Sequence, residues 1–264
     1  GMQISHAGRK ASTHLQWEGG EQAPLTSGAW DIMAASPLPY SPSNPTPKEM
    51  TEKDMEDVLQ NFVAAARRAE KAGFDMLELH CAHGYLLNTF ISPKTNIRSD
   101  SYGGSLVNRL RYPLSVFEAI RETWPEQKPI SVRISATDWI EEGITPQDAV
   151  EIARAFKKVG CDILDVSSGQ VVSEEKPEYG RLFQLPFSDR IRLEAEMPTM
   201  TVGNIQSYAD ANSIIASGRG DICVIARMHL FDPYWTRHAA NELNYNLEMP
   251  NQYKSVQQYT PRWT

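Results

Sequence analysis

The residues best suited to chemistry stand close together in the segment ELHCAHGYLL, residues 78–87. His80 and His83 are three positions apart, and Tyr85 follows two positions later. Two neutral imidazoles can donate hydrogen bonds to one carbonyl or phenolate oxygen, and a neighbouring phenol can deliver a proton. The same histidine spacing occurs in structural pairs and in metal sites. The residues alone therefore leave three roles open for the histidine pair: hydrogen-bond donors to a ligand oxygen, a structural pair or metal ligands.

The segment before the histidines predicts the element that would present them. FDMLEL, residues 74–79, is a short apolar run after Gly73, a residue type that commonly ends a helix. This pattern is typical of a buried parallel strand. The histidines would then lie at the carboxyl end of that strand, where α/β barrels place their active sites.

Strand-like and helix-like segments alternate along most of the chain. We predict strands at residues 2–5, 74–79, 130–134, 163–166, 199–202 and 222–225. We predict helices starting near Thr51 and at residues 106–123, 146–159, 189–196, 207–217 and 234–243. This order predicts one α/β domain, residues 1–264, with a parallel sheet and right-handed crossovers. Residues 19–47 are expected to form a long loop and residues 245–264 a C-terminal tail.

Composition narrows the class of protein. The 264 residues include 26 basic and 33 acidic side chains, which gives a net charge of −7. We therefore expect no general attraction to nucleic acid or to anionic membranes, and we expect neither a membrane-spanning stretch nor a signal peptide. Cys81, Cys161 and Cys223 are widely spaced and show no metal-binding pattern, so we expect free thiols and a cytoplasmic location.

The stretch ELHCAHGYLLNTFISPKTNIRSDSYGGSLVNR, residues 78–109, closely resembles the Old Yellow Enzyme family of FMN-dependent oxidoreductases, in its two-histidine branch. The resemblance covers almost the whole chain and implies a TIM (β/α)8 barrel. Alignment with the family makes the predicted strands the third to the eighth. We therefore expect a barrel truncated at its N-terminus to about six βα units. Unpaired edges of such an open sheet predict a homo-oligomer.

The resemblance also implies which residues contact the flavin ring. Gln3, in QISHAGRK, would bind the pyrimidine edge, because an amide offers both a donor and an acceptor; a surface hydrogen bond is the alternative. Arg133, in SVRIS, would contact N1 and O2 and stabilise the reduced ring; a salt bridge inside the barrel is the alternative. His6 and Arg9 belong to the same signature as Gln3 and are expected to be structural.

The last two units are expected to bind the FMN phosphate. Gly203 and Asn204 lie in VGNI, directly after a predicted strand, and Ala226 and Arg227 lie in ICVIARMHLFDP after the next strand. Barrels commonly bind phosphate between these two loops, using backbone N–H groups.

The resemblance implies an NADH- or NADPH-dependent enzyme that reduces activated C=C bonds of carbonyl-conjugated substrates. Hydride would pass from flavin N5 to the β-carbon while His80 and His83 hold the activating oxygen. Tyr85 would donate a proton to the α-carbon; a packing role at the start of a helix is the alternative.

Two other hypotheses remain. YGRLFQLPFSDRIR, residues 179–192, is similar to the flavin-reductase-like C-terminal half of aromatic acyl-CoA monooxygenase/reductase fusions of the salicylyl-CoA 5-hydroxylase type. The chain would then be the reductase part of such an enzyme. The third hypothesis is a truncated barrel without flavin that serves as an assembly piece. Arg262 would reach a neighbouring subunit's active site, as in some relatives, or belong to an unstructured tail.

Overall fold

A computed structural model describes residues 1–19 and 23–256 of the chain. The strands are β1 (Met2–Ile4), β2 (Met33–Ala34), β3 (Lys48–Glu49), β4 (Leu77–Cys81), β5 (Ile130–Ser135), β6 (Ile163–Ser167), β7 (Thr199–Thr201) and β8 (Ile222–Cys223). Six of them form one sheet in the order β1-β4-β5-β6-β7-β8, and every neighbouring pair is parallel. The predicted α/β architecture of a truncated, six-stranded barrel is therefore confirmed.

Helices connect the strands of this sheet. They are α1 (Gln16–Gly19), α2 (Glu52–Lys71), α3 (Leu86–Ile91), α4 (Leu106–Thr123), α5 (Pro146–Lys158), α6 (Leu185–Glu194), α7 (Tyr208–Ala216), α8 (Arg227–Phe231) and α9 (Trp235–Glu242), with 3-10 turns at Gly8–Lys10 and Asn251–Val256. Among the described helices, none is long and apolar enough to cross a membrane.

Three helices begin with the same reciprocal cap. The hydroxyl of the N-cap residue accepts a hydrogen bond from the N–H of the aspartate three positions later. The carboxylate of that aspartate accepts a hydrogen bond from the N–H of the N-cap residue, so two otherwise unsatisfied donors are paired. The pairs are Thr51 with Asp54 in α2, Thr145 with Asp148 in α5, and Ser207 with Asp210 in α7. The capping box predicted at Thr51 is confirmed.

The two faces of the sheet differ in polarity. In β4, Leu77, Leu79 and Cys81 are fully buried in the hydrophobic core that the sheet shares with the helices. Because side chains alternate along a strand, the intervening Glu78 and His80 face the opposite side, the barrel interior. The interior therefore carries polar side chains, and these side chains build the candidate site.

Strand β4, which carries His80, begins at Leu77 and not at the predicted residue 74. The N–H of Phe74 still bonds to the Ala69 carbonyl at 3.2 Å, so residues 74–76 complete the turn that closes α2. The strand also runs through Cys81, which places His80 inside it and only His83 in the following turn.

Other predicted bounds also shift. Strand β8 has two residues and not four, α6 begins at Leu185 and not at residue 189, and the short helices α3 and α8 were not predicted. The expected loop at residues 19–47 contains β2, which pairs in parallel with β3. All three cysteines are free, as predicted. Within the tail, the 3-10 turn Asn251–Val256 is described, whereas Arg262 lies outside the described residues.

Candidate functional site

The two histidines form one hydrogen-bonded chain. The N–H of Ala82 donates to Nδ1 of His80 at 3.1 Å, so neutral His80 carries its proton on Nε2. This Nε2 lies 3.3 Å from Nδ1 of His83 and donates to it. Nε2 of His83 then donates to Oγ of Ser167 at 2.7 Å. The pair is thus arranged in series, with His83 presenting the outermost N–H.

The turn that carries His83 is held in a demanding conformation. His83 has a φ of 58°, in the left-handed region that non-glycine residues rarely adopt. Its N–H donates to Oγ of Ser135 at 2.9 Å, and Ser135 donates to the Gly169 carbonyl at 2.9 Å. Gly84 follows with a φ of 70°, and a Cβ there would lie 2.8 Å from the Gln170 carbonyl oxygen. Such strain is maintained where surrounding contacts enforce it, commonly at functional sites.

Both imidazoles are kept uncharged. Burial, and then the positive charges of Arg133 and Lys10, lower the pKa of His80 to about 3. Burial and the same cations, together with His80, hold the pKa of His83 well below its ordinary value. The pair is therefore neutral near pH 7 and can donate hydrogen bonds without titrating.

Tyr85 lies beside the pair, as predicted. Its ring centroid is 4.9 Å from that of His80, and it occupies the N-cap of α3 without a side-chain capping bond. The buried Lys10 places its ammonium 5.9 Å from the Tyr85 ring centroid and donates to the Gln170 carbonyl. Sequence reasoning missed Lys10, although a lysine directly after the expected structural Arg9 was a visible signal.

Two further polar residues extend the histidine chain. Ser167 donates to Oε1 of Gln184 at 3.3 Å, and Ser168 donates to the same oxygen at 2.7 Å. Gln184 is 5% exposed and precedes α6. The strand-end serines were visible in the sequence, but nothing in the spacing indicated that Gln184 would join them.

Arg133 is paired inside the barrel. Its Nε lies 3.2 Å from Oδ2 of Asp165, the residue opposite it on β6. This contact matches the alternative of an internal salt bridge. In the described part of the chain, no hydrogen bond or other ion pair involves the terminal nitrogens of Arg133. Arg133 also lies opposite His80 in the strand register, which brings a predicted cofactor residue next to a predicted catalytic one.

Gln3 lies in the same sheet, on β1. Its amide nitrogen donates to Oε1 of Glu78 at 2.6 Å, and the other oxygen of Glu78 accepts from Ser131 at 2.8 Å. The hydrogen bond fixes which end of the amide faces the protein. The structural expectation for Arg9 is supported, because its buried guanidinium donates to the carbonyls of Leu38, Pro39 and Val171.

The two predicted phosphate loops differ in the contacts that they make with the rest of the chain. Gly203 has a φ of 119°, and a Cβ there would meet Cβ of Gln184 at 2.9 Å, so only glycine fits. Asn204 has a φ of 58° and donates to the Gly180 carbonyl at 3.1 Å. Ala226 and Arg227 are exposed at the start of α8. Within residues 1–19 and 23–256, no hydrogen bond or ion pair joins one pair to the other.

A cavity of about 640 Å³ lies elsewhere, between α9 and the tail. Its lining includes Tyr234, Arg237, Tyr245 and Tyr253, and it contains none of the predicted site residues. No group of three or more His, Cys, Asp or Glu side chains able to hold a metal ion is found among the described residues. The histidine pair is instead engaged with Ser167.

Known proteins resemble the chain over most of its length. It is 43% identical over 254 residues to an NADPH dehydrogenase of Geobacillus thermodenitrificans (strain NG80-2), covering 96% of this chain and 69% of that protein. A solved 2-naphthoyl-CoA reductase in complex with 2-naphthoyl-CoA matches with a TM-score of 0.74 and 27% identity, over 80% of this chain. The chain spans only 33% of that reductase. Morphinone reductase, 22% identical with a TM-score of 0.72, shares the fold over 97% of this chain and 67% of its own.

The fold and these similarities define an oxidoreductase built on an α/β barrel. Residues 1–246 match the NADH:flavin oxidoreductase / NADH oxidase family, and the chain belongs to that family. Its cofactor is accordingly FMN, and its electron donor is NADH or NADPH.

The residues present fit this cofactor. Nε of Arg133 and Oδ1 of Asp165 are buried without a hydrogen-bond partner among the described residues. The backbone N–H groups of Gly203 and Asn204 likewise have no hydrogen-bonded acceptor there, in a turn too tight for a Cβ at Gly203. The imperfect pairing of Arg133 with Asp165 leaves the terminal nitrogens of Arg133 for a polar ring edge, and the N–H groups of Gly203 and Asn204 suit an anionic tail.

Proposed function

We propose that this chain reduces the activated C=C bond of a carbonyl-conjugated substrate and belongs to the two-histidine branch of its family. The observation that carries the proposal is the neutral, hydrogen-bonded pair of His80 and His83 beside Tyr85 at the end of β4. Bound FMN would supply the hydride. The remaining steps are carried by side chains of this chain.

Four sets of residues would hold the cofactor. Gln3 and Arg133 lie on β1 and β5 and would face the polar edge of the ring, while the turns at residues 203–204 and 226–227 follow β7 and β8. All these strands are parallel, so their carboxyl ends lie at one edge of the sheet. A single ligand extended along that edge would contact every set.

The histidines would stabilise charge on the substrate oxygen. A carbonyl oxygen that replaces Ser167 as acceptor would receive the hydrogen bond from Nε2 of His83, which now spans 2.7 Å. Rotation of the His80 ring would turn its own Nε2–H to the same oxygen. Neutral donors suit this role, because the charge grows during the reaction and the donors are already oriented.

Tyr85 would deliver the proton to the α-carbon. Its half-buried ring lies against His80, with the ring centroids 4.9 Å apart. Proton donation by a positioned side chain typically contributes about 10²–10⁴-fold to a rate.

Reconstitution with FMN and anaerobic stopped-flow kinetics test the proposal. The double variant His80→Ala/His83→Ala should retain FMN and its reduction by NADPH, yet reoxidise with 2-cyclohexen-1-one at least about 10²-fold more slowly. The exposed His229→Ala is the matched control and should behave as the unaltered chain. An unchanged reoxidation rate in the double variant would exclude the oxyanion role.

A second candidate substrate is a conjugated acyl-CoA thioester. It is favoured by the similarity to a 2-naphthoyl-CoA reductase and by the segment 179–192, which the sequence links to aromatic acyl-CoA enzymes. A thioester carbonyl would use the same histidine donors. Reoxidation by 1-cyclohexenecarbonyl-CoA, compared with 2-cyclohexen-1-one, separates the two classes by their kcat/KM ratio. A chain that remains colourless after reconstitution would instead favour the assembly piece.

A further inference from the structure

We propose that Asp165 is a positioning residue for the flavin-facing Arg133: it engages Nε from within the barrel, so that the two terminal nitrogens point to the ring. The inference rests on the proposed cofactor role of Arg133. It assigns a function to a residue that touches neither substrate nor cofactor.

The geometry of the sheet carries the first step. Arg133 on β5 and Asp165 on β6 are partners in the parallel register, so their side chains leave adjacent strands on the same face. Nε and Oδ2 lie 3.2 Å apart. The Asp165 side chain is 3% exposed and that of Arg133 is 22% exposed, so the carboxyl lies deeper and the guanidinium lies nearer the opening.

The chemistry of the guanidinium carries the second step. Arginine has one N–H on Nε and four on its terminal nitrogens, and a bidentate carboxylate accepts hydrogen bonds from two of these nitrogens at once. Here the nearest contact of the carboxylate is to Nε, without a well-aligned hydrogen bond, and the terminal nitrogens donate no hydrogen bond to it. The terminal nitrogens are left for another acceptor. A carboxylate present only to neutralise the arginine would gain more from the bidentate arrangement.

The charges around Asp165 carry the third step. Arg133 faces it from β5, Glu78 lies beyond on β4, and the residue opposite it on β7 is the uncharged Met200. Burial, reinforced by Glu78 and opposed by Arg133, raises the pKa of Asp165 to about 7. Below that pH the carboxyl is protonated and leaves the arginine charge uncompensated. Above it, the carboxylate offsets part of that charge.

Two measurements on the FMN-loaded and apo chain test the inference. Asp165→Ala should weaken FMN binding to apo-protein about tenfold, measured by quenching of flavin fluorescence, whereas Asp165→Asn should bind within about threefold of the unaltered chain. Asn keeps an acceptor oxygen and mimics the protonated acid. Asp189→Asn, which alters the Arg219 pair at 2.9 Å outside the site, is the matched control and should change neither quantity.

The pH dependence of the reduction potential of bound FMN is the decisive readout. The unaltered chain and Asp165→Asn should have the same potential at pH 6. Above pH 7, the potential of the unaltered chain should fall below that of the variant, because only its carboxyl ionises. A purely structural role gives parallel curves, and that result overturns the inference, as does FMN binding by Asp165→Ala equal to that of the unaltered chain. Failure of the unaltered chain to bind FMN would overturn the proposed function as well.

Discussion

The histidines gain their chemical character from their surroundings. Burial and two nearby cations keep His80 and His83 neutral, and the Ala82 N–H fixes the tautomer of the pair. In this arrangement each ring donates its hydrogen bond towards the next member of the chain that ends at Gln184. The site is organised for donation of hydrogen bonds and not for exchange of protons.

Tyr85→Phe tests the proton donor. We expect about a 10²-fold loss in the rate of enone reduction, because the phenyl ring fills the same space beside His80 but carries no proton. FMN affinity and reduction by NADPH should not change. Rapid-mixing measurements of each half-reaction provide the comparison, with the exposed Tyr253→Phe as control.

Equal reoxidation rates in Tyr85→Phe and in the unaltered chain would leave the tyrosine with a packing role. A loss shared by both half-reactions would indicate instead that the substitution disturbs the ring site.

At the residue scale, the sequence predicts part of the site. His80, His83 and Tyr85 lie within six positions, and the structure brings them together. Gln184 could not be predicted, because its contact with Ser167 depends on how α6 begins after β6. The role of Asp165 could not be predicted either, because only the register of β5 and β6 shows that it faces Arg133.

The strand-to-helix turns determine how the elements present the site. After β7, Gly203 turns the chain so closely against Gln184 that a side chain has no room. The turn after β7 thus packs against Gln184, and Gln184 ends the hydrogen-bonded chain that comes from Ser167 on the neighbouring strand β6. Because Gln184 is also the N-cap residue of α6, the position of this helix and the conformation of the turn at Gly203 depend on the same contact.

Gly203→Ala tests this contact. The added Cβ would lie 2.9 Å from Cβ of Gln184 in a backbone region unfavourable for alanine, so we expect a loss of about 2–3 kcal/mol in the free energy of unfolding. Gly218→Ala is the control: its φ of 70° also disfavours alanine, but its Cβ would meet nothing within 4 Å. Urea denaturation of both variants gives the difference.

The control should lose about 1 kcal/mol, which is the cost of the backbone conformation alone. Equal losses in the two variants would show that the contact with Gln184 is unimportant.

Helix bounds were predicted well where the signal is local, such as a capping residue or the spacing of apolar residues. The helix at Leu106–Thr123 has the predicted bounds, and Thr51 caps α2 as predicted. Strand β8 is shorter than its apolar run because pairing with β7 supports only two of its residues. Sheet pairing, and not residue preference, sets the length of such a strand.

The whole molecule is a sheet whose outer strands, β1 and β8, have unpaired sides within the described residues. Near β8, Leu230 and Phe231 are 84% and 85% exposed. Exposed apolar residues beside an open strand favour association. The homo-oligomer predicted from the sequence stays a prediction.

Buried histidines make the stability of the whole molecule sensitive to acid. The pKa of His80 falls from its ordinary value of 6.5 to about 3, and those of His83 and His6 are also lowered. Protonation therefore favours the unfolded chain, and this part of the stability is lost as the pH falls from about 6.5 towards 3. Asp138 and Asp165, with pKa values raised to about 6 and about 7, oppose the trend, since their contribution is lost as the pH rises.

His80→Gln isolates the histidine contribution. Between pH 6 and pH 4, its free energy of unfolding should fall less steeply than that of the unaltered chain, by up to about 1.4 kcal/mol per pH unit for one proton. Guanidinium denaturation at several pH values gives the slopes. The exposed His229→Gln should retain the original slope, and an identical slope in His80→Gln would refute the assignment.

Every hydrogen bond in the chain from His80 to Gln184 points in the same direction, and Gln184, its last member, lies against the turn at Gly203. A substrate oxygen that replaced Ser167 as the acceptor of His83 would therefore change the hydrogen bonds of Gln184, which lies against the turn at Gly203. Thermodynamic linkage makes this influence mutual and equal in size. The substrate and the anionic tail of the cofactor would thus report on each other across the barrel mouth without touching.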